Sequence, residues 1–180
     1  MKRRSFLKSA TSAFPILLTQ PFTLDAQSSA SPAKEAHVVP SGQDSSGETH
    51  AGFGGLRFKV PTQETHGNLL VIEHDNMVSG GPPLHLHLEQ EEWFYVVEGE
   101  FLFQVGEERI RLKSGDSILG PRKVPHTFCA VGTTPGKMII AFSPAGKMEQ
   151  FFRNAANPLQ DAAFYRRYDM ELLGPPLKPT

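Results

Sequence analysis

The sequence predicts an all-β fold, a β-sandwich or barrel, with an irregular arm before it and a short helical tail behind it. The first observation is one of texture. From Leu56 onward, short runs rich in Val, Ile, Phe and Leu are each closed by Gly, Pro, Asn or Asp, which is how strands joined by tight turns read. The second is size: 180 residues suit one domain of roughly 150 residues behind a leader. The third is balance, since apolar residues make up 39% of the chain, enough to fill a core and too much for a disordered polymer.

The first eight residues, Met1-Lys2-Arg3-Arg4-Ser5-Phe6-Leu7-Lys8, are basic and lead into a modest apolar stretch at 9–19, interrupted by Pro15. A basic start, a short apolar region and small residues beyond form the pattern of an export signal. Lys2 to Lys8 also resembles the twin-arginine export motif, with Lys2 where that motif more often has Ser or Thr. This predicts an export signal at 1–26, cleaved after Ala26, and a periplasmic or secreted protein with no membrane span in its mature form. Twin-arginine export carries folded proteins, so the resemblance implies that a metal can load before translocation.

Residues 27–55 are rich in Ser, Gly, Pro and Ala and read as a linker and arm, with a short edge strand near His37-Val38-Val39. The barrel spans 56–146, with strands at 56–60, 67–74, 84–87, 92–98, 100–105, 108–112, 117–119, 126–131 and 137–143. Gly99, Gly106-Glu107 and Gly115-Asp116 read as hairpin turns. The tail, 147–180, carries helices at 147–154 and 161–173, separated by Asn157-Pro158. Phe151, Phe152, Phe164, Tyr165 and Tyr168 supply apolar contacts against the barrel wall, and Gly174-Pro175-Pro176 ends the ordered part.

Eighteen Lys+Arg against 19 Asp+Glu leave a net charge of −1, so no basic field invites nucleic acid. Nowhere do the roughly 18 consecutive apolar residues of a membrane span occur. The single cysteine, Cys129, excludes an intramolecular disulfide and a Cys-rich zinc site.

The chemistry concentrates in two segments. In Pro82-Pro83-Leu84-His85-Leu86-His87, side chains on a strand repeat every two residues, so His85 and His87 share one face and form half of a metal site. Strand parity continued from them would select Glu89 or Glu91; bringing Glu92 inward requires a turn or bulge within 88–91. In the second segment, Gly115 to Phe128, two prolines frame a loop that delivers His126 to the start of a strand. Parity from His126 places Phe128 on its side and Cys129 on the other, as a small buried hydrophobe.

Together these segments resemble the two motifs of the cupin superfamily. The first is His-X-His, four residues, Glu, six residues, Gly, at His85, His87, Glu92 and Gly99; the second is Gly, five residues, Pro and a later His, at Gly115, Pro121 and His126. The resemblance covers about 69–142, and the remainder is similar to single-domain bacterial cupins of the quercetin 2,3-dioxygenase-like group. It implies a jelly-roll type double-stranded barrel and a metal site of His85, His87, Glu92 and His126, with Glu91 in reserve for Glu92. Lys123 stands where the motif usually has Gly, so the loop before His126 is not expected to use a glycine-type conformation there. Ala130 stands where the motif often has Asn, which removes an amide from behind the ligands.

Three imidazoles and one carboxylate suit one divalent transition metal per chain; iron, manganese, nickel, copper and zinc all fit. The leading functional expectation is a dioxygenase acting on a flat phenolic or flavonol-like molecule. Glu92 would be the catalytic base, in a pocket lined by Phe94, Val96, Phe101 or Phe103, Phe128, Ile140 and Phe142. A metal-dependent isomerase or hydrolase acting on a sugar or small acid is the second reading; it needs polar groups inside, which Gln104, Arg109 or Arg111 could supply. A non-catalytic small-molecule-binding cupin is the third. The family resemblance also implies a homodimer.

Overall fold

The protein is described here by a computed structural model covering residues 35–47, 55–155 and 161–179. The expected export signal at 1–26 lies outside the described residues. The residues described from His37 onward belong to one compact unit. Among the described residues ten strands occur in chain order: β1 (Leu56–Val60), β2 (Leu70–Met77), β3 (Pro83–His87), β4 (Glu91–Glu98) and β5 (Glu100–Val105). They continue with β6 (Glu108–Lys113), β7 (Ser117–Gly120), β8 (His126–Ala130), β9 (Gly136–Ser143) and β10 (Met170–Pro176). Two short helices, α1 (Met148–Asn154) and α2 (Ala162–Arg167), lie between β9 and β10.

The strands form two five-stranded antiparallel sheets, ordered β1-β2-β9-β4-β7 and β10-β3-β8-β5-β6. The expected barrel therefore takes the form of two sheets of jelly-roll type rather than one closed ladder. Alternation drives the layering. In β4, Glu92, Phe94 and Val96 are buried while Trp93 and Tyr95 are exposed, the period of two that aims one face at a core. Met138, Ile140 and Phe142 of β9 are buried on the same period.

Aromatic rings join the sheets. Phe94 of the first sheet meets Phe103 and Phe128 of the second with centroids 5.0 and 5.6 Å apart, both near edge-to-face. Such pairs contribute about 0.5–1.5 kcal/mol each beyond their buried area. Strand β8 is buried on both faces. Its outward Cys129 packs with Leu102 and with Leu177 beyond β10, and burial pushes its thiol pKa up.

Three expectations about the arm and the tail are corrected. Residues 37–39 form no strand; the arm is instead tied down by Asp44, whose carboxylate accepts from the backbone N–H of Phe58 at 2.6 Å. The expected helix at 161–173 stops at Arg167 and gives way to β10, which pairs antiparallel with β3. Gly174-Pro175-Pro176 is thus no end of order: the strand runs through Pro176, and Leu177 is buried. Proline is tolerated there because β10 is an edge strand, where a missing donor costs no ladder bond.

Gly106-Glu107 does close a hairpin, between β5 and β6, but Gly99 and Gly115-Asp116 do not. Their flanking strands lie in different sheets, so these turns carry the chain across the sandwich. Gly99 has φ +84°, and a Cβ there would lie 2.8 Å from the Cα of Gly136. Among the described residues no helix is long and apolar enough to cross a membrane. Gly99→Ala is expected to lower the unfolding free energy by about 1–2 kcal/mol from the left-handed conformation alone, read as a shifted denaturant midpoint with an unchanged slope.

Candidate metal centre

Four side chains expected from the sequence converge. His85 and His87 stand on alternate positions of β3, and His126, at the start of β8, lies directly opposite His85 in the ladder. Glu92 comes from the facing sheet, where it pairs with Gly120 and Phe142. The break that turns it inward is real: β3 ends at His87, and residues 88–90 bend before β4 starts. Glu91 consequently points outward and binds Arg122, accepting from its backbone N–H at 2.8 Å and from its side chain. Gly120 makes room for the cluster, because a Cβ there would sit 3.2 Å from His126 Nδ1.

One ligand atom from each of the four residues lies within 4.8 Å of every other, and all four residues are buried. Glu92 Oε2 is 2.9 Å from His87 Nε2, 2.8 Å from His126 Nε2 and 4.0 Å from His85 Nε2. The backbone sets the tautomers. His85 Nδ1 lies 2.8 Å from the Pro83 carbonyl and His126 Nδ1 2.9 Å from that of Val124; a carbonyl only accepts, so each Nδ1 carries a proton. In neutral rings both Nε2 atoms then present lone pairs towards the lone pairs of Glu92. A cation belongs between them, a proton or a metal ion, and the donor set is compatible with one divalent first-row ion. His87 Nδ1 is buried without a hydrogen-bond partner, so this ring has no carbonyl behind it of the kind that orients the other two.

The electrostatics reflect the same crowding. Burial first, then the charges of His126 and His87, push His85 down to about 3. Burial is the largest single influence and opposes the charged forms of Glu92 and His126, but it is outweighed by their hydrogen bond and mutual charge together with the His87 contact to Glu92 and the Val124 carbonyl behind His126. The carboxyl is held well below its ordinary range and the His126 imidazole is raised.

A cavity of about 410 Å3 opens beside the cluster, reached by His85, His87 and Glu92 but not by His126. Of the expected pocket residues, Phe128 and Ile140 line it. Phe94, Val96, Phe103 and Phe142 do not; they are buried in the core between the sheets. Parity sends them inward, yet inward positions deep in a filled sandwich serve packing. Met148, Phe151, Phe152, Tyr165 and Met170 line the cavity instead. These come from α1, α2 and β10, and the aromatic residues of that tail read in sequence only as packing. Arg109 and Arg111 are exposed and Gln104 bonds to Gly106 and Arg109, so none of them supplies the polar interior that an isomerase or hydrolase reading needs.

Lys123 adopts φ +64°, the left-handed conformation expected to be closed to it. Its backbone N–H donates to the His87 carbonyl at 2.7 Å, and this bond, which ties the loop to the ligand strand, offsets a conformational cost of about 1–2 kcal/mol. Lys123→Gly is expected to raise stability by about 0.5–1 kcal/mol with unchanged metal content, checked by denaturant titration and elemental analysis.

The metal-free protein should show two opposing pH limbs. His85 protonates near 6.5 when unfolded and near 3 when folded. Between those values the unfolded chain holds more protons, so stability falls as pH drops, by about 1.5 kcal/mol from pH 6.5 to 5. His126 acts in the opposite sense. Its raised value means a contribution fully present below pH 6.5 and lost as pH rises through the folded value. Denaturant titrations of chelator-treated protein are expected to lose the acid limb in His85→Gln and the alkaline limb in His126→Gln.

Residues 77–142 match the cupin domain family. An uncharacterized protein of Methanocaldococcus jannaschii is 36% identical over 61 residues, which cover 34% of this chain and 49%, about half, of the relative. Among solved structures, an RmlC-like cupin from Shewanella frigidimarina is 30% identical, covering 53% of this chain and 82% of that one, with a TM-score of 0.42. KdgF from a Halomonas species is 26% identical, covering 50% and 79%, also with a TM-score of 0.42. Residues 77–142 form a cupin domain, and the two sheets that hold the His85, His87, Glu92 and His126 cluster have a cupin-like fold.

Proposed function

We propose that the protein is a metal-dependent oxygenase, a dioxygenase acting on a flat phenolic or enolic small molecule. The observation that carries this reading is that the cluster lines a cavity whose other walls are mostly apolar, with His74, Asn76, Ser79 and Tyr165 as the remaining polar side chains. Ile72, Met77, Phe128, Ile140, Met148 and Phe151 surround the space in front of His85, His87 and Glu92. The volume of about 410 Å3 lies in the range of small-molecule sites, about 300–1,000 Å3.

His85, His87, His126 and Glu92 would hold the metal. When bound, a redox-capable divalent ion supplies Lewis-acid and one-electron chemistry at that wall of the cavity. Glu92 has a second task. Both imidazole contacts fall on Oε2, which leaves Oε1 as the oxygen free to accept the proton of a substrate hydroxyl. The carboxylate is ionised at neutral pH because the imidazoles hold it so, so Oε1 keeps its lone pairs available to that hydroxyl. The apolar walls exclude water from the planar body of the substrate and orient it edge-on to the cluster.

The test is elemental analysis of the purified protein beside a His85→Ala, His126→Ala double variant, followed by oxygen uptake with flavonols and simpler phenols. About one iron, manganese, nickel or copper per chain, lost in the variant, together with metal-dependent oxygen consumption, is the expected result. Zinc alone, with no oxygen consumed, would move the assignment to isomerase or hydrolase chemistry. No metal above the variant's background after reconstitution would leave a binding module.

A further inference from the structure

Tyr165 brings a phenol hydroxyl to the wall of the cavity that the metal-ligand cluster also lines. It is 2% exposed, lines the cavity, and places its ring 6.0 Å from that of His85. Its ring also packs edge-on to Phe151 and Phe164, which fixes its direction. Among the described residues no hydrogen bond reaches its hydroxyl, and its oxygen is not one of the fully buried unpaired atoms, so the hydroxyl keeps accessible surface on the cavity that the residue lines. It sits on α2, outside the 77–142 cupin match, so neither ligand motif assigns it.

We propose that Tyr165 is a positioning residue whose hydroxyl donates a hydrogen bond to the oxyanion of an aromatic substrate bound beside the cluster in the cavity. The proposal rests on the metal-dependent reading above and adds the recognition chemistry. Glu92 Oε1 accepts a proton from the substrate hydroxyl, and Tyr165 Oη donates to the oxygen left behind. The pair selects an apolar ring bearing an acidic hydroxyl over the same ring without one. A hydroxyl that faces the cavity and is committed to no protein partner is available to such an oxygen, and a ring without the oxygen forgoes the bond, which makes the hydroxyl a specificity element rather than a packing one.

The experiment compares metal-loaded wild type with Tyr165→Phe, using 4-nitrocatechol as the oxyanion probe and nitrobenzene as the probe lacking hydroxyls. The absorbance of bound 4-nitrocatechol reports its ionisation, and metal per chain and thermal midpoint are measured on the same samples. The expected result is unchanged metal content and nitrobenzene affinity, with 4-nitrocatechol binding weakened about tenfold or more and its bound anion spectrum shifted. Equal 4-nitrocatechol affinity in the two proteins overturns the proposal. So does a parallel loss for both probes, or a loss of metal in the variant, since either makes Tyr165 structural. Metal-loaded wild type that does not bind 4-nitrocatechol overturns the oxyanion class while leaving the metal site standing; wild type that loads no metal overturns the parent reading. If Tyr165→Phe does not fold, Tyr165→Met fills the same space with a flexible apolar chain and takes its place.

Discussion

One buried carboxylate between two sheets organises the molecule. Glu92 belongs to one sheet, and the imidazoles of His87 and His126, which touch its Oε2, belong to the other. An ionised carboxylate inside a protein is costly unless it is paired and hydrogen-bonded, so the sheets cannot separate, slide or repack without leaving a charge stranded. Much of the nearby chain serves that one condition. The bend at 88–90 rotates Glu92 inward, Gly120 clears the space next to it, and the Pro83 and Val124 carbonyls orient two of the rings. The aromatic cluster of Phe94, Phe103 and Phe128 then holds the sheets together below the site. Strong pairing is confined to the cluster, while the rest of the interface is non-directional apolar burial that tolerates variation.

Nine of the strands were legible because most combine β-branched or aromatic residues with a nearby glycine, proline or asparagine, and β3 shows the alternation of Leu84-His85-Leu86-His87 behind two prolines. The strand at 170–176 was not. Met-Glu-Leu-Leu has good intrinsic helix propensity, and it becomes a strand because the edge of β3 offers it a ladder. Tertiary context overrode local preference there. The cross-sheet turns at Gly99 and Gly115 were misread for a related reason: a glycine with positive φ permits a sharp turn but does not specify which sheet the next strand joins.

The site was legible to the extent that its residues are close in sequence. His85 and His87 follow from parity alone, whereas Glu92 and His126 needed the motif, because bends and long-range pairing lie between them. The cavity was largely illegible. Its apolar lining is shared between the domain and a tail more than 60 residues away from β3 in the chain, and nothing in Phe151, Tyr165 or Met170 distinguishes a cavity wall from a core. Lys123 shows the converse error, a position judged by intrinsic strain alone when a single backbone hydrogen bond to His87 settles it.

The position of β10 has a consequence for how the protein comes into being. All five strands of the first sheet lie within residues 56–143, but the sheet that carries the imidazoles closes its edge with residues 170–176. Chains emerge from the ribosome N-terminus first. Glu92 can therefore be set in a finished sheet while the strand bearing His85 and His87 still has one side open to water. The imidazoles gain their dry surroundings late in synthesis, after the polypeptide that will wall the cavity has appeared. The cluster, compatible with one metal ion, is thus fully walled only once residues 170–176 have paired with β3.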